Sequence, residues 1–160
     1  MNLRDLPPPV RKALSQISDH DVAGVPAVVA AVKRVDEAQA AHAFHIDSLR
    51  VYDANIASLE AEMTQLDREI LAIDAARTDL AIEIAAGVRP DSDDRDMQAR
   101  RSDLLRQRDL LEIAAQFFRV ERAAASSASQ HHEATAGGAK SALDHTRVAA
   151  RIAIAKRRAA

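Results

Sequence analysis

Apolar residues between Val28 and Ile84 recur at alternating steps of three and four: Leu49, Tyr52, Ile56, Leu59, Met63, Leu66, Ile70 and Ile73, then Leu80 and Ile84. A mean step of about 3.5 is the signature of a helix lying along another helix in a supercoil. Val28, Ala31, Val35 and Ala38 continue the pattern more weakly toward the N-terminus. The spacing predicts one long helix. Pro26 suits its first turn, and Gly87 followed by Pro90 suits its end. At 1.5 Å per residue, about 60 residues would span roughly 90 Å.

The polar segment 87–92 reads as a hairpin tip. A second helix is expected beyond it, with Asp91 or Ser92 as cap and Asp93, Asp94 and Asp96 complementing the helix dipole. Its seam is expected at Ala99, Asp103, Arg106, Leu110, Ile113, Phe117, Val120 and Ala124. If the chain folds back about residue 90, position x faces roughly 180 − x. Leu110 then faces Ile70, Phe117 faces Met63, Ile113 lies near Leu66, and Arg77 faces Asp103.

Pro7-Pro8-Pro9 reads as a stiff lead into a short helix carrying Val10, Leu14 and Ile17 on one face. That helix should stop near Ser18 and dock on a neighbour, with Asp19-His20-Asp21 and Gly24 as loop. At the other end, the small residues after Ala123 and the pair Gly137-Gly138 predict a break. A last helix is expected from about Ser141 to Lys156, with Val148 and Ile152 facing Val32 and Val28. The expected fold class is all-α: a long antiparallel helical hairpin or coiled coil with a broken returning arm and a short N-terminal helix. The expected parts are an N-terminal lead and helix (1–25), the hairpin (26–136) and a basic C-terminal helix (137–160).

Composition changes this picture little. Hydrophobic residues make up 48% but aromatics only 2%, much of the apolar count being alanine, which favours thin helix-on-helix packing over a thick core. There is no cysteine, which excludes disulfides and thiolate chemistry. No stretch has the length and hydropathy of a membrane span, and MNLRDLPPPVRK lacks the apolar region of a signal peptide. The expected location is cytoplasmic, or within an assembled particle.

Charge and spacing leave three places where function can sit. Met97, Leu104, Leu111 and Phe118 recur every seven residues, with Leu105 adjacent, beside the expected seam of the second helix. A two-helix hairpin would leave that stripe in water, so it is the expected contact with another copy or a partner's helix. His42 and His45 fall on seam positions of the first helix, near the expected level of His131, His132 and Glu133. The reading preferred for this layer is a polar one that fixes register, with no metal; a zinc or nickel site and a pH-sensitive layer are the alternatives. Third, Lys140, Arg147, Arg151, Lys156, Arg157 and Arg158 against Asp144 give the C-terminal segment +5; the whole chain carries −2, so the preceding residues carry −7. Arg147, Arg151, Lys156, Arg157 and Arg158 are candidates for an acidic partner or for phosphate.

No phosphate-cradling glycine loop, nucleophile elbow or metalloprotease helix occurs in the chain, so no cofactor and no small-molecule substrate are expected. The expected function is non-enzymatic: a self-associating coiled-coil component of a larger complex, such as a virion or scaffold protein or a secretion-machine stalk. The alternative is a nucleic-acid-associated protein acting through its basic C-terminal helix.

Overall fold

The structure is a computed structural model that describes residues 6–160; the expectations placed on residues 1–5 lie outside the described residues. Four helices follow one another: α1 (Pro8–Leu14), α2 (Asp19–Ala23), α3 (Pro26–Ala85) and α4 (Asp91–Ala159). No strand occurs among the described residues. Helices α3 and α4 pack antiparallel, so the all-α hairpin is the fold.

The hairpin tip follows from Gly87. Its φ of 73° lies in the left-handed region, the one positive φ among the described residues. That conformation lets Val88 N–H reach Glu83 O and Gly87 N–H reach Ile84 O, both at 2.9 Å. These two bonds satisfy the last carbonyls of α3 in the pattern that ends helices at glycine. α4 begins at Asp91, with Asp91, Asp93 and Asp94 in its first turn.

Two expectations about the helices need correction. The returning arm is not broken: α4 runs for 69 residues straight through Gly137 and Gly138. Two helical glycines cost only about 1 kcal/mol each, and the packed turns on either side outweigh that. The boundary at residue 137 therefore has no counterpart in the helix. The segment read as a loop at Asp19-His20-Asp21 is helix α2. Ser18 caps it: its hydroxyl accepts from Asp21 N–H at 3.3 Å, while the Asp21 carboxylate accepts from Ser18 N–H at 2.8 Å. That reciprocal pair is a capping box, with Asp in the place where Glu is usual. α1 accordingly ends at Leu14 rather than near Ser18.

The chain divides into two compact units. One comprises the chain up to Ile46 with Ser126–Ala160, and the other is Asp47–Ala125. In the first, α1 and α2 pack on α3 and α4. Leu6, Val10, Ile17, Val22, Val28, Val35 and Leu143 form its apolar core with small residues of α4, among them Ala150 and Ala155. The docking expected of Val10 and Ile17 is met here. Val148, expected to face Val32, is instead exposed, and α4 turns Leu143, Ala150 and Ala155 inward.

The second unit holds only stretches of α3 and α4. On α3, Met63, Ile70 and Leu80 are buried, with Leu49, Tyr52, Ile56, Leu59, Leu66 and Ile73 half-buried. The seam read on the first helix is therefore the seam found.

Candidate functional site

On α4 the two apolar stripes exchange roles. Leu104 is buried, and Met97, Leu105, Leu111 and Phe118 are half-buried in the second unit. Phe118 lies against Tyr52 of α3, ring centroids 6.3 Å apart. These residues, expected to contact a partner, are the intramolecular seam. The residues expected in the seam face outward: Leu110, Ile113, Phe117 and Val120 are 61%, 67%, 59% and 57% exposed. Ala99, Asp103, Arg106 and Ala124 on the same line are exposed too. The two stripes lie on nearly opposite sides of one helix, so only one of them can meet α3.

The face that meets α3 is flanked by matched charges. Asp53, Glu60, Asp67 and Asp74 stand at seven-residue intervals on α3, and Arg101, Arg108 and Arg122 keep the same frame on α4, with Ala115 in the remaining position. Arg101 Nε donates to Asp74 Oδ1 at 2.6 Å and its Nη2 to Oδ2 at 3.1 Å, a two-pronged pair. Arg108 Nε donates to Asp67 at 2.6 Å, and Arg122 pairs with Asp53. Ala115 is fully buried. Arg119, one turn on, reaches Glu60 and Glu112 at 3.0 Å each. Near the tip Arg77 grips Asp94 at 2.7 and 3.1 Å, not Asp103. Facing residue numbers thus sum to about 175, not the expected 180. That displacement of about five residues moves the contact to the other stripe. Arg101 and Arg108 are half-buried and Arg122 is exposed, so the paired guanidiniums lie at the edge of the seam in contact with water.

The pairs leave a mark on ionisation. The hydrogen bond from Arg101 holds the Asp74 carboxyl below the usual carboxylate range, and Arg77 does the same to Asp94. Arg119 is raised by Glu60 and then Glu112, and Arg122 by Asp53. These groups remain in contact with water, so each pair adds little to stability.

The basic C-terminal segment already has its acidic partner within the chain. Arg158 donates to Asp21 at 2.8 Å, and Arg151 pairs with Asp19, so both carboxylates of α2 meet the end of α4. Asp21 is pulled down to about 2, first by the Ser18 backbone N–H, then by the Ser18 hydroxyl and Arg158. Arg147 lies 3.8 Å from Asp144 of its own helix. Lys156 and Arg157 are exposed at the terminus. The five residues proposed for phosphate therefore do not form one free patch.

His45 and His132 stack with centroids 5.0 Å apart and planes 14° apart, and His42 Nδ1 lies 3.2 Å from Ser129 O. His131 is exposed and packs edge-on against His132. Among the described residues no group of three or more His, Asp or Glu side chains is placed to hold a metal ion. Of the four histidines expected at one level, His45, His131 and His132 adjoin through His132, while His42 contacts Ser129.

In the second unit, Leu66, Leu110 and Leu111 floor a shallow groove of about 390 Å³ rimmed by Glu62, Gln65 and Gln107. It extends the apolar surface of the outer stripe. In the first unit an alanine-lined cleft of about 830 Å³ runs past Arg34, Thr135 and Gly138. Neither converges several polar groups on one point, as a small-molecule site does. No helix among the described residues is long and apolar enough to cross a membrane. No protein-family model, characterised protein or solved structure matches this chain.

The residue order shows the outer stripe as an apolar row, and in the structure that row faces away from α3. The missed signal is the pair of seven-residue charge ladders, acidic on one helix and basic on the other.

Proposed function

We propose that this protein is a non-enzymatic assembly component whose outer α4 stripe associates with a second copy of the chain. The observation that carries this reading is the row Leu110, Ile113, Phe117 and Val120, at steps of three, four and three, each more than half exposed. Single exposed apolar residues are ordinary on a surface, but a row of four large ones at coiled-coil spacing matches the unmet face of a helix pair. The intramolecular ladder uses the opposite face, so association leaves the hairpin intact. A contact of this kind suits a scaffold, a particle component or a stalk, all of which work by helix-to-helix contact.

The nucleic-acid reading has weaker support, because Arg151 and Arg158 are already paired with Asp19 and Asp21. Light scattering in line with size-exclusion chromatography tests the proposal. The unmodified chain should show a mass above the 17.3 kDa monomer that rises with concentration. Ile113→Gln with Phe117→Gln should give a monomer of unchanged helicity by circular dichroism. A monomeric unmodified chain at every concentration rejects the proposal.

A further inference from the structure

We infer that the second copy lies antiparallel to the first along the outer stripe, about a two-fold axis passing α4 at Ala115, and that Asp103 and Arg106 fix this orientation. The inference rests on the self-association proposed above. The stripe is asymmetric along its length. At one end its spacing runs on into Asp103 and Arg106, and at the other into Ala124. Asp103 and Arg106 are exposed and 3.4 Å from each other.

A parallel, in-register pair brings every stripe residue against its own copy. Arg106 then meets Arg106 of the partner copy and Asp103 meets the partner's Asp103, setting like charges together beside the apolar run. An antiparallel pair about Ala115 has no such conflict. Leu110 faces the partner's Val120 and Ile113 faces the partner's Phe117, each contact occurring twice by symmetry. Arg106 faces the partner's Ala124, a side chain small enough for the arginine stem to cross. Its guanidinium then lies within a turn of the partner's Glu121. The antiparallel register shifted by one heptad toward Asp103 presses Arg106 onto the partner's Phe117 and Asp103 onto the partner's Val120. That arrangement strips water from the Asp103–Arg106 pair of each copy, at a desolvation cost that an apolar contact does not carry. The favoured pairing is self-complementary, so it closes at two copies and does not propagate into a filament.

The absence of cysteine makes a cross-linking test clean. Gln116 is exposed beside the stripe, one residue from the inferred axis, so Gln116→Cys places two thiols face to face only in the antiparallel pair. Asp103→Cys places them together only in the parallel pair. Each variant is oxidised under mild conditions and assayed on a non-reducing gel, with circular dichroism confirming helicity. Gln116→Cys should form the covalent dimer and Asp103→Cys should not. Cross-linking of Asp103→Cys, or of neither variant while scattering shows a dimer, overturns the orientation alone. A mass that climbs past two copies overturns the closed pairing, and a monomeric unmodified chain overturns the self-association beneath it.

Discussion

Where α1 and α2 join the two long helices, Val22 and Val28 are 1% and 2% exposed, and leucines, isoleucines and valines from all four helices fill one core. Between Asp47 and Ala125 the same two helices have no such cover. Burial there is confined to one line of contact, through Met63, Ile70, Leu80, Leu104, Ala115 and Ala125. A helix pair can bury one stripe of each member, and α4 carries two. The first unit buries residues of four helices in one core while leaving Val29, Phe44 and Val148 exposed. The second lines its seam with arginine–carboxylate pairs and leaves Leu110, Ile113, Phe117 and Val120 outward. The difference teaches that apolar density alone does not identify the buried face of a thin bundle.

Two leucines of α4 put this contrast to its hardest trial. Leu143 lies in the four-helix core and Leu104 in the two-helix seam, both nearly inaccessible. Leu143→Ala should cost about 3 to 5 kcal/mol, because neighbours on several sides cannot close the cavity. Leu104→Ala should cost about 2 to 3 kcal/mol, because a single facing helix can settle into the gap. Urea denaturation of both variants measures the difference. A larger loss at Leu104 would reverse the assignment of core and seam.

The glycines of the first unit should act in the opposite direction. A Cβ at Gly137 or Gly138 meets nothing within 4 Å, and both lie in helix. Gly137→Ala and Gly138→Ala should each raise stability by about 0.5 to 1 kcal/mol, read as a higher melting temperature. A loss on substitution would mean that α4 bends there.

Acid should loosen the first unit by a smaller amount. Asp21 is held at about 2, against an ordinary 3.8. A depressed carboxyl stabilises the fold fully above its unfolded value and ceases to do so as pH falls through its folded one. Melting temperature should therefore decline between about pH 4 and pH 2, and Asp21→Asn should flatten part of that decline. Asp74 and Asp94, lowered by Arg101 and Arg77, act in the same sense in the second unit. An Asp21→Asn profile parallel to that of the parent would show that Ser18 and Arg158 do not hold the carboxylate.

Much of this architecture is readable from residue order. The 3.5-residue seam of α3, the stop at Gly87 and the acidic start of α4 all follow from local rules that tertiary packing does not override. The facing side of α4 does not, because Leu110, Ile113 and Phe117 outrank Arg101, Arg108 and Arg122 on any hydropathy scale. Only the matching ladder of Asp53, Asp67 and Asp74 reveals the arginines as seam residues, and that match exists between helices, not within one. The capping box at Ser18 was likewise present in the chain, obscured by Asp21 standing where Glu is usual. The partners of the basic C-terminus, Asp19 and Asp21, lie more than a hundred residues away, beyond the reach of local pattern.

Phe117 and Phe118 are neighbours in the chain and belong to opposite stripes, which makes them paired reporters of the central claim. Hydroxyl-radical footprinting across a concentration series measures the water contact of each ring. In dilute solution Phe117 should be labelled readily and Phe118 slowly; as concentration rises, Phe117 should become protected while Phe118 stays as it was. Faster labelling of Phe118 in dilute solution, or labelling of Phe117 that does not change with concentration, would contradict the account.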